Sequence, residues 1–379
     1  MFLAHRVSGG CAYKDPITLW THIMEDFKLR QDQLRIELED NYISISLTLD
    51  MWTSPNNILV LGIIGHWYTK DFEEREEVLD FVQVRGEHDG EHLAQIVQKM
   101  LKDLLLKHKL FAITGDNASN NDTLCVHLYE SLLRQYSDRF DGVKERMRFH
   151  GKTSFVRCLA HITNLICDDI LKDLKSGSTE EAKALLDNQD KKHKDKKYNL
   201  TPDHLPSTGK GAVAKIRLLN LWILRSDQRL QDWAKYPRCI HRKPRYDVKT
   251  RWNSAYDMIQ QALDLQQEYT EFCGEHRAVK ALLPTSNEWV TLHQLAYVLK
   301  PFKDKIEEVS KEMPLIVKSL EVYWELDILL NNIKDKVGIF KDLEPTIRDA
   351  VIAGITKNSK YQRKMEKHVL LFVAHILDP

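Results

Sequence analysis

The sequence lacks any long hydrophobic run. No stretch approaches the roughly 18 uninterrupted apolar residues that a membrane helix needs, so no membrane partner is expected. A C-x-x-C pair is also missing. The six cysteines, at positions 11, 125, 158, 167, 239 and 273, are scattered, as suits reduced thiols rather than a disulfide framework. Net charge is absent as well, because 55 basic residues face 55 acidic ones. That balance excludes a global field drawing in nucleic acid and leaves only local patches. The opening stretch MFLAHRVSGG has too short an apolar segment for a secretory signal. No internal repeat of fixed period appears.

What is present points to a folded protein with two domains, or one domain carrying a large insertion. The chain has 379 residues, 43% hydrophobic and 29% charged, ordinary values for a globular protein. Two basic runs stand out. QDKKHKDKKYN (189–199) reads as a solvated loop more readily than as a phosphate clamp. HRKPRYDVKTRW (241–252) carries five Lys/Arg against one Asp.

The first half alternates strand and helix signals. Residues 43–50 and 58–68 are β-branched and apolar and predict two strands, with TSPNN between them as a turn, and 76–84 predicts a third. Residues 90–109 predict a helix with a basic end, 110–121 a short strand and loop, 121–136 a capped helix. Residues 153–174 predict a fifth strand passing into a helix. This order suits a mixed α/β sheet with helices on its faces. The expected organisation is a helical lead-in over 1–40 and a sheet domain over 41–175. Residues 176–212 read as a polar mobile linker and 213–379 as an all-helical region, with helices near 213–235, 252–272, 288–309, 315–335 and 342–356.

Two acids carry the chemistry. Asp50 closes the first predicted strand and Asp116 the fourth, and functional groups gather where strands of an α/β sheet give way to loops. If those strands lie side by side, the carboxylates come within reach of one another. A hard divalent ion, Mg²⁺ or Mn²⁺, is their natural partner. Each acid also has a plainer reading: Asp50 as a residue that starts a turn, Asp116 as an Asx-turn in GDNASNND.

Five stretches in register then resemble the hAT superfamily of DNA transposases, the Activator and hobo type. They are TLDMWTSPNN with GIIGHWYTKDFEEREEVLDF, ITGDNASNN, RCLAHITNLI, VKTRWNSAYDMI, and the closing LLFVAHILDP, together with KPFKDKIEEVSKE. The resemblance implies a ribonuclease-H-like sheet interrupted after its fifth strand by a large all-helical insertion. It implies DDE chemistry on DNA, both transposon ends and target, with Asp50 and Asp116 as the first two catalytic, metal-holding acids. Cys158 and His161 match the C/D-x-x-H motif near the family's active site. They also read as a buried thiol and a hydrogen-bonded imidazole, and no zinc is expected, since no second pair lies at ligand spacing. Arg251 and Trp252 match the R-W motif, where arginine pairs with phosphate and tryptophan stacks on a base; the alternative is a helix-start anchor with the ring in a core. Trp52 reads as core packing beside Asp50 rather than as a DNA contact.

The pattern departs from the family at both ends. No Cys/His quartet of a BED-type zinc finger precedes the first strand. The family's third acid, a Glu on a late helix, would follow the point where this sequence stops, and Glu307, Glu308 and Glu312 do not replace it. The expectation is a transposase truncated at both ends, final helices and dimerisation region missing, and inactive alone. Homo-oligomerisation is accordingly not counted on, and one sheet face should expose an apolar patch. The alternative is a non-catalytic DNA-binding or protein-interaction remnant of a transposable element. The expected location is the nucleus, or the cytoplasm for an inactive fragment.

Overall fold

Period-two alternation in ISISLTLD becomes β1 (Ile45–Thr53). Ile45, Leu47 and Leu49 are buried, while Ser46, Thr48 and Asp50 turn to the other face. The computed structural model describes residues 16–40, 44–54, 56–137, 147–192, 199–248, 252–311, 316–366 and 368–377. It falls into two compact units, residues 1–158 and 159–379.

In the first unit β1 pairs antiparallel with β2 (Leu59–Tyr68), which pairs antiparallel with β3 (Glu74–Gln83). β4 (Leu110–Gly115) returns parallel to β1, and the short β5 (Phe155–Arg157) lies parallel to β4. The sheet order is β3-β2-β1-β4-β5. Three helices supply the apolar cover: α1 (Pro16–Asp40), α2 (Gly90–Asp103) and α3 (Ser119–Ser137). Leu38 of α1, Val97 and Leu101 of α2 and Leu128 of α3 are fully buried with Leu47 and Ile63 of the sheet. Each such side chain contributes about 1.5–3 kcal/mol. α2 starts on Asp89, whose side chain accepts the His92 amide at 2.8 Å, a standard N-cap. The next residue must be glycine, because a Cβ on Gly90 would sit 1.9 Å from Thr123 Oγ1 and 2.6 Å from the Leu124 amide.

The opposite sheet face is bare in part. Trp52, Val78 and Phe81 are exposed there, the last at 62%, and the Trp52 and Phe81 rings meet at 5.3 Å. Trp52 is therefore not core, contrary to the sequence reading. Its ring lies over Gly62 instead, with a Cβ there standing 3.2 Å away.

The second unit is helical, and two sequence boundaries need correction. The helix after β5, α4 (Leu159–Asp173), was expected to close the sheet domain. It belongs to the second unit, where Ile170 packs on Gly354, its side chain 2.9 Å from where a Cβ would stand. The expected mobile linker over 176–212 contains a packed helix, α5 (Thr179–Lys192), with Ala182 and Leu186 buried. Two apolar anchors at i and i+4 suffice to seat a helix, but they are hard to read among its charges. Residues 193–198, most of the lysine run, lie outside the described residues.

The remaining helices are α6 (Ala212–Leu224), α7 (Asp227–Trp233), α8 (Trp252–Asp264), α9 (Gln266–Glu275), α10 (Ser286–Lys311), α11 (Ile316–Lys334), α12 (Pro345–Met365) and α13 (Val369–Leu377). The single helix read over 213–235 is two, divided where Ser226 caps α7 by accepting the Arg229 amide. α6 is buried nearly all round, including Lys215, Arg217 and Asn220. A helix in that position is central, and its polar residues require partners.

Candidate active site

The sheet order makes β1 and β4 neighbours, and their register fixes the two acids relative to one another. The last parallel pair is Thr48 with Thr114. Asp50 and Asp116 each stand two residues further on, Asp50 still within β1 and Asp116 just past the end of β4. Paired backbones run about 4.8 Å apart, so the two acids follow neighbouring stretches of backbone. One detail differs from expectation. Asp50 does not close β1, which runs on to Thr53 against β2, with Asp50 opposite Gly62. Asp50 stands where β1 loses its parallel neighbour while keeping its antiparallel one. That half-supported position leaves the acid exposed on a regular strand.

The two carboxylates are held differently. Asp50 makes no hydrogen bond or ion pair among the described residues. Asp116 follows β4 directly, and its Oδ1 accepts both the Ala118 amide at 3.0 Å and Asn121 Nδ2 at 2.7 Å. Oδ2 has no such bond among the described residues. The Asx-turn is thus present, and it orients the acid without using both oxygens. The loop itself is tied down by Arg157 at the end of β5. This arginine grips Asp122 through Nη2 at 2.7 and 2.9 Å and reaches Asn117 Oδ1 at 3.4 Å. Beside Asp50 on the same face, Thr48 Oγ1 and His66 Nε2 share a hydrogen bond of 2.9 Å. Burial lowers the His66 pKa, against the raising influence of Glu76 and Glu74, and Glu76 Oε2 lies 3.5 Å from His66 Nδ1. Asn121, Arg157 and the Thr48–His66 pair were missed in the sequence. Only Arg157 had a visible cue, a charge at the end of an apolar strand.

The other predicted site residues are placed less closely. Cys158 continues β5, its amide donating to the Gly115 carbonyl at 2.8 Å. His161 is the third residue of α4, in the second unit, and half-buried. Arg251 lies outside the described residues, and Trp252 is described only as the first residue of α8.

Carboxylate oxygens with hydroxyls nearby are the donors that a hard divalent ion takes, and Asp50 and Asp116 fit that requirement as a pair. Among the described residues no group of three or more His, Cys, Asp or Glu is arranged to hold a metal ion. No third such ligand is grouped with the two acids among those residues.

Comparison with known proteins matches residues 48–142 to the ZBED1 RNase-like domain and residues 156–298 to the ZBED1 RNase-like helical domain. The second match begins within β5, close to the division between the units. The chain is 27% identical over 326 residues, 85% of its length, to a putative transcriptional regulator, tpeD, of Talaromyces stipitatus. It is 25% identical over 371 residues, 97% of its length, to a putative AC transposase of Zea mays. It is 22% identical over 347 residues, 88% of its length, to the zinc finger BED domain-containing protein RICESLEEPER 2 of Oryza sativa subsp. japonica. These matches span 36%, 40% and 40% of the respective relatives.

Proposed function

The chain is an hAT-family transposase-like protein with a ribonuclease-H-like sheet and a large helical region, and from that premise we propose that it is a DNA-binding protein whose sheet carries two acids of a phosphoryl-transfer site. The observation that supports this reading is the parallel pairing of β1 with β4, whose last pair, Thr48 with Thr114, lies two residues before Asp50 and Asp116 respectively. The transposase named among its relatives supports DNA as the substrate class. The nucleus is the compartment that suits such a partner.

Each residue has a role that follows from its contacts. Asp50 and Asp116 would hold one Mg²⁺ or Mn²⁺. A bound ion of this kind would polarise a phosphoryl oxygen and favour deprotonation of an attacking water. Asn121 and the Ala118 amide occupy Oδ1 of Asp116, which turns Oδ2 toward a ligand. Arg157 fixes the loop bearing these groups. With no third acid beside the pair among the described residues, the chain by itself is proposed to bind DNA without cutting it. Loss of one ligand from a clamp that acts as a unit costs orders of magnitude in rate.

Mn²⁺ titration combined with a nicking assay on duplex DNA tests both parts. Asp50→Asn and Asp116→Asn should each weaken Mn²⁺ binding at least about tenfold, since even outer partners of metal ligands cost that much. Unchanged binding in both variants would overturn the two-acid site. Cleavage by the 379-residue chain that disappears in Asp50→Asn would overturn the non-cutting reading.

A further inference from the structure

Between α7 and α8 the chain runs through HRKPRYDV (241–248) without forming a helix. Pro244 and Asp247 turn inward, while His241, Arg242, Lys243, Arg245, Tyr246 and Val248 are exposed. Asp247 is the lone acid of this basic run, and it is spent internally. Arg217 of α6, 2% exposed, grips it from Nε and Nη2 at 2.5 and 2.7 Å. The Thr179 hydroxyl lies 2.8 Å from both Asp247 Oδ1 and the Asp247 carbonyl. Of the run's own charges, the cations are left at the surface.

The backbone of the segment is held by side chains at nearly every step. Trp233 Nε1 donates to the Arg242 carbonyl at 2.9 Å, and Gln261 Nε2 to the Lys243 carbonyl at 3.1 Å. Gln261 Oε1 also accepts the Arg245 amide at 2.7 Å, and Asn220 Nδ2 donates to the Arg245 carbonyl at 2.6 Å. Ser254 Oγ accepts the Val248 amide at 2.7 Å. An irregular segment normally meets water with these groups. Here its shape is set in advance, so little ordering cost remains on binding. The exposed cations do have acidic neighbours: Arg242 lies 3.5 Å from Asp264, and Arg245 4.0 Å from Asp257. Such solvent-screened pairs are worth about 0–1 kcal/mol and yield readily to phosphate.

We propose that residues 241–248 are a preset basic segment that binds the phosphate backbone of DNA through Arg242, Lys243 and Arg245, with Thr179, Arg217 and Asp247 as positioning residues. The proposal rests on the DNA-binding reading above and is separable from it. Pro244 and Asp247 turn inward and leave three cations exposed within four residues, at 242, 243 and 245, which matches a repeating anion better than a single small ligand. Backbone contacts of this kind carry affinity without sequence preference.

Fluorescence anisotropy with a labelled duplex of arbitrary sequence, over roughly 50–200 mM salt, tests it. The triple variant Arg242→Gln, Lys243→Gln, Arg245→Gln should bind at least about tenfold more weakly, with the salt slope reduced by roughly 2–3. The control variant Lys280→Gln, Lys341→Gln, Lys360→Gln makes the same charge change elsewhere and should leave both nearly unaltered. Equal weakening by the two triples would overturn the proposal, since only global charge would then matter. Wild-type binding with an unaffected first triple would overturn it too, while leaving the DNA reading in place. Absence of any wild-type binding would overturn both. Thr179→Val, folded by circular dichroism, should weaken binding by about 1.4 kcal/mol or less, a factor up to ten, and Thr179→Ser should restore it. A Thr179→Val chain that binds like wild type would overturn the positioning role.

Discussion

Asp50 in the sheet unit and Asp247 in the helical unit are both single acids in otherwise apolar or basic stretches, yet the fold treats them in opposite ways. Asp50 stands exposed without a partner among the described residues. Asp247 is buried against a bidentate arginine and a threonine hydroxyl. Burial tends to raise a carboxylate pKa, but Arg217 and Thr179 outweigh it and hold Asp247 below its ordinary value. The contrast separates two uses of a charge. A fully partnered carboxylate fixes structure and has nothing left for a ligand. A carboxylate kept on a rigid strand with its oxygens open contributes little to folding and is available to bind.

The strongest way to break this comparison is to remove the structural acid. Asp247→Ala should lower stability by about 3–5 kcal/mol, because it leaves the Arg217 guanidinium buried and uncompensated. Denaturant unfolding measures it, and a loss under 1 kcal/mol would show that water reaches Arg217. The depressed Asp247 pKa fixes the sign with pH. The ion pair's contribution is present above the unfolded carboxylate value and is lost as pH falls through the lower folded value. The penalty of the substitution should therefore shrink in strong acid.

A smaller effect is expected at Arg157, which serves the sheet site as Arg217 serves the helical unit. Its carboxylate partner Asp122 is a quarter exposed, so water offsets part of the loss. Arg157→Met should cost about 1–3 kcal/mol. The same variant should speed hydrogen exchange at the Ala118 amide, which bonds to Asp116 Oδ1. Unchanged exchange there would mean that Asn121 alone orders the loop.

These examples also show which parts of the molecule were legible in the sequence. Strands β1 and β2 were readable because their apolar, β-branched runs are bounded by turn residues. The acids were readable as candidates from their places after apolar runs, but their alignment depended on β1 and β4 being neighbours, a long-range fact. The family resemblance supplied the fold and the helical insertion. It did not supply the packed helix α5, whose two apolar anchors are diluted by charge. Nor did it show the role of Asp247, whose partner lies 30 residues away on a helix that looked merely apolar. Local periodicity is written in the chain, whereas buried polar pairing is written only in the contacts.

Asp168 on α4 gives a third case, a half-buried acid whose neighbouring lysines do not offset its desolvation. Burial pushes its pKa up to about 6; Lys172 and Lys357 pull it down, while Asp169 and Asp247 push it further up. Asn164 Nδ2 is its nearest neutral donor at 3.5 Å. A folded value above the unfolded one means that the ionised form disfavours folding, so stability falls as pH rises from about 4 through about 6. Asp168→Asn should therefore stabilise the chain near neutral pH. The gain is on the order of 1 kcal/mol once screening by water at this partly exposed group is allowed for. Thermal unfolding in acid, where the native aspartic acid is itself neutral, should show the two chains alike.

The smallest stability effect is expected at Asp50, and its smallness is the informative part. With no partner to strand, Asp50→Asn should change unfolding free energy by no more than about 0.5 kcal/mol, as at other surface positions without a special contact. Asp116→Asn should cost more, about 1–2 kcal/mol, because two amides that hydrogen-bond to a carboxylate lose the charge-assisted part of that interaction. Mn²⁺ should reveal a cost at Asp50 that is hidden without it. An ion that binds the folded state stabilises it the more its concentration exceeds Kd, so the wild type should gain thermal stability and Asp50→Asn should gain less. If Asp50→Asn proved strongly destabilising without any ion, Asp50 would be a structural acid like Asp247, and the division between held and available carboxylates would fail at the residue on which the functional reading depends.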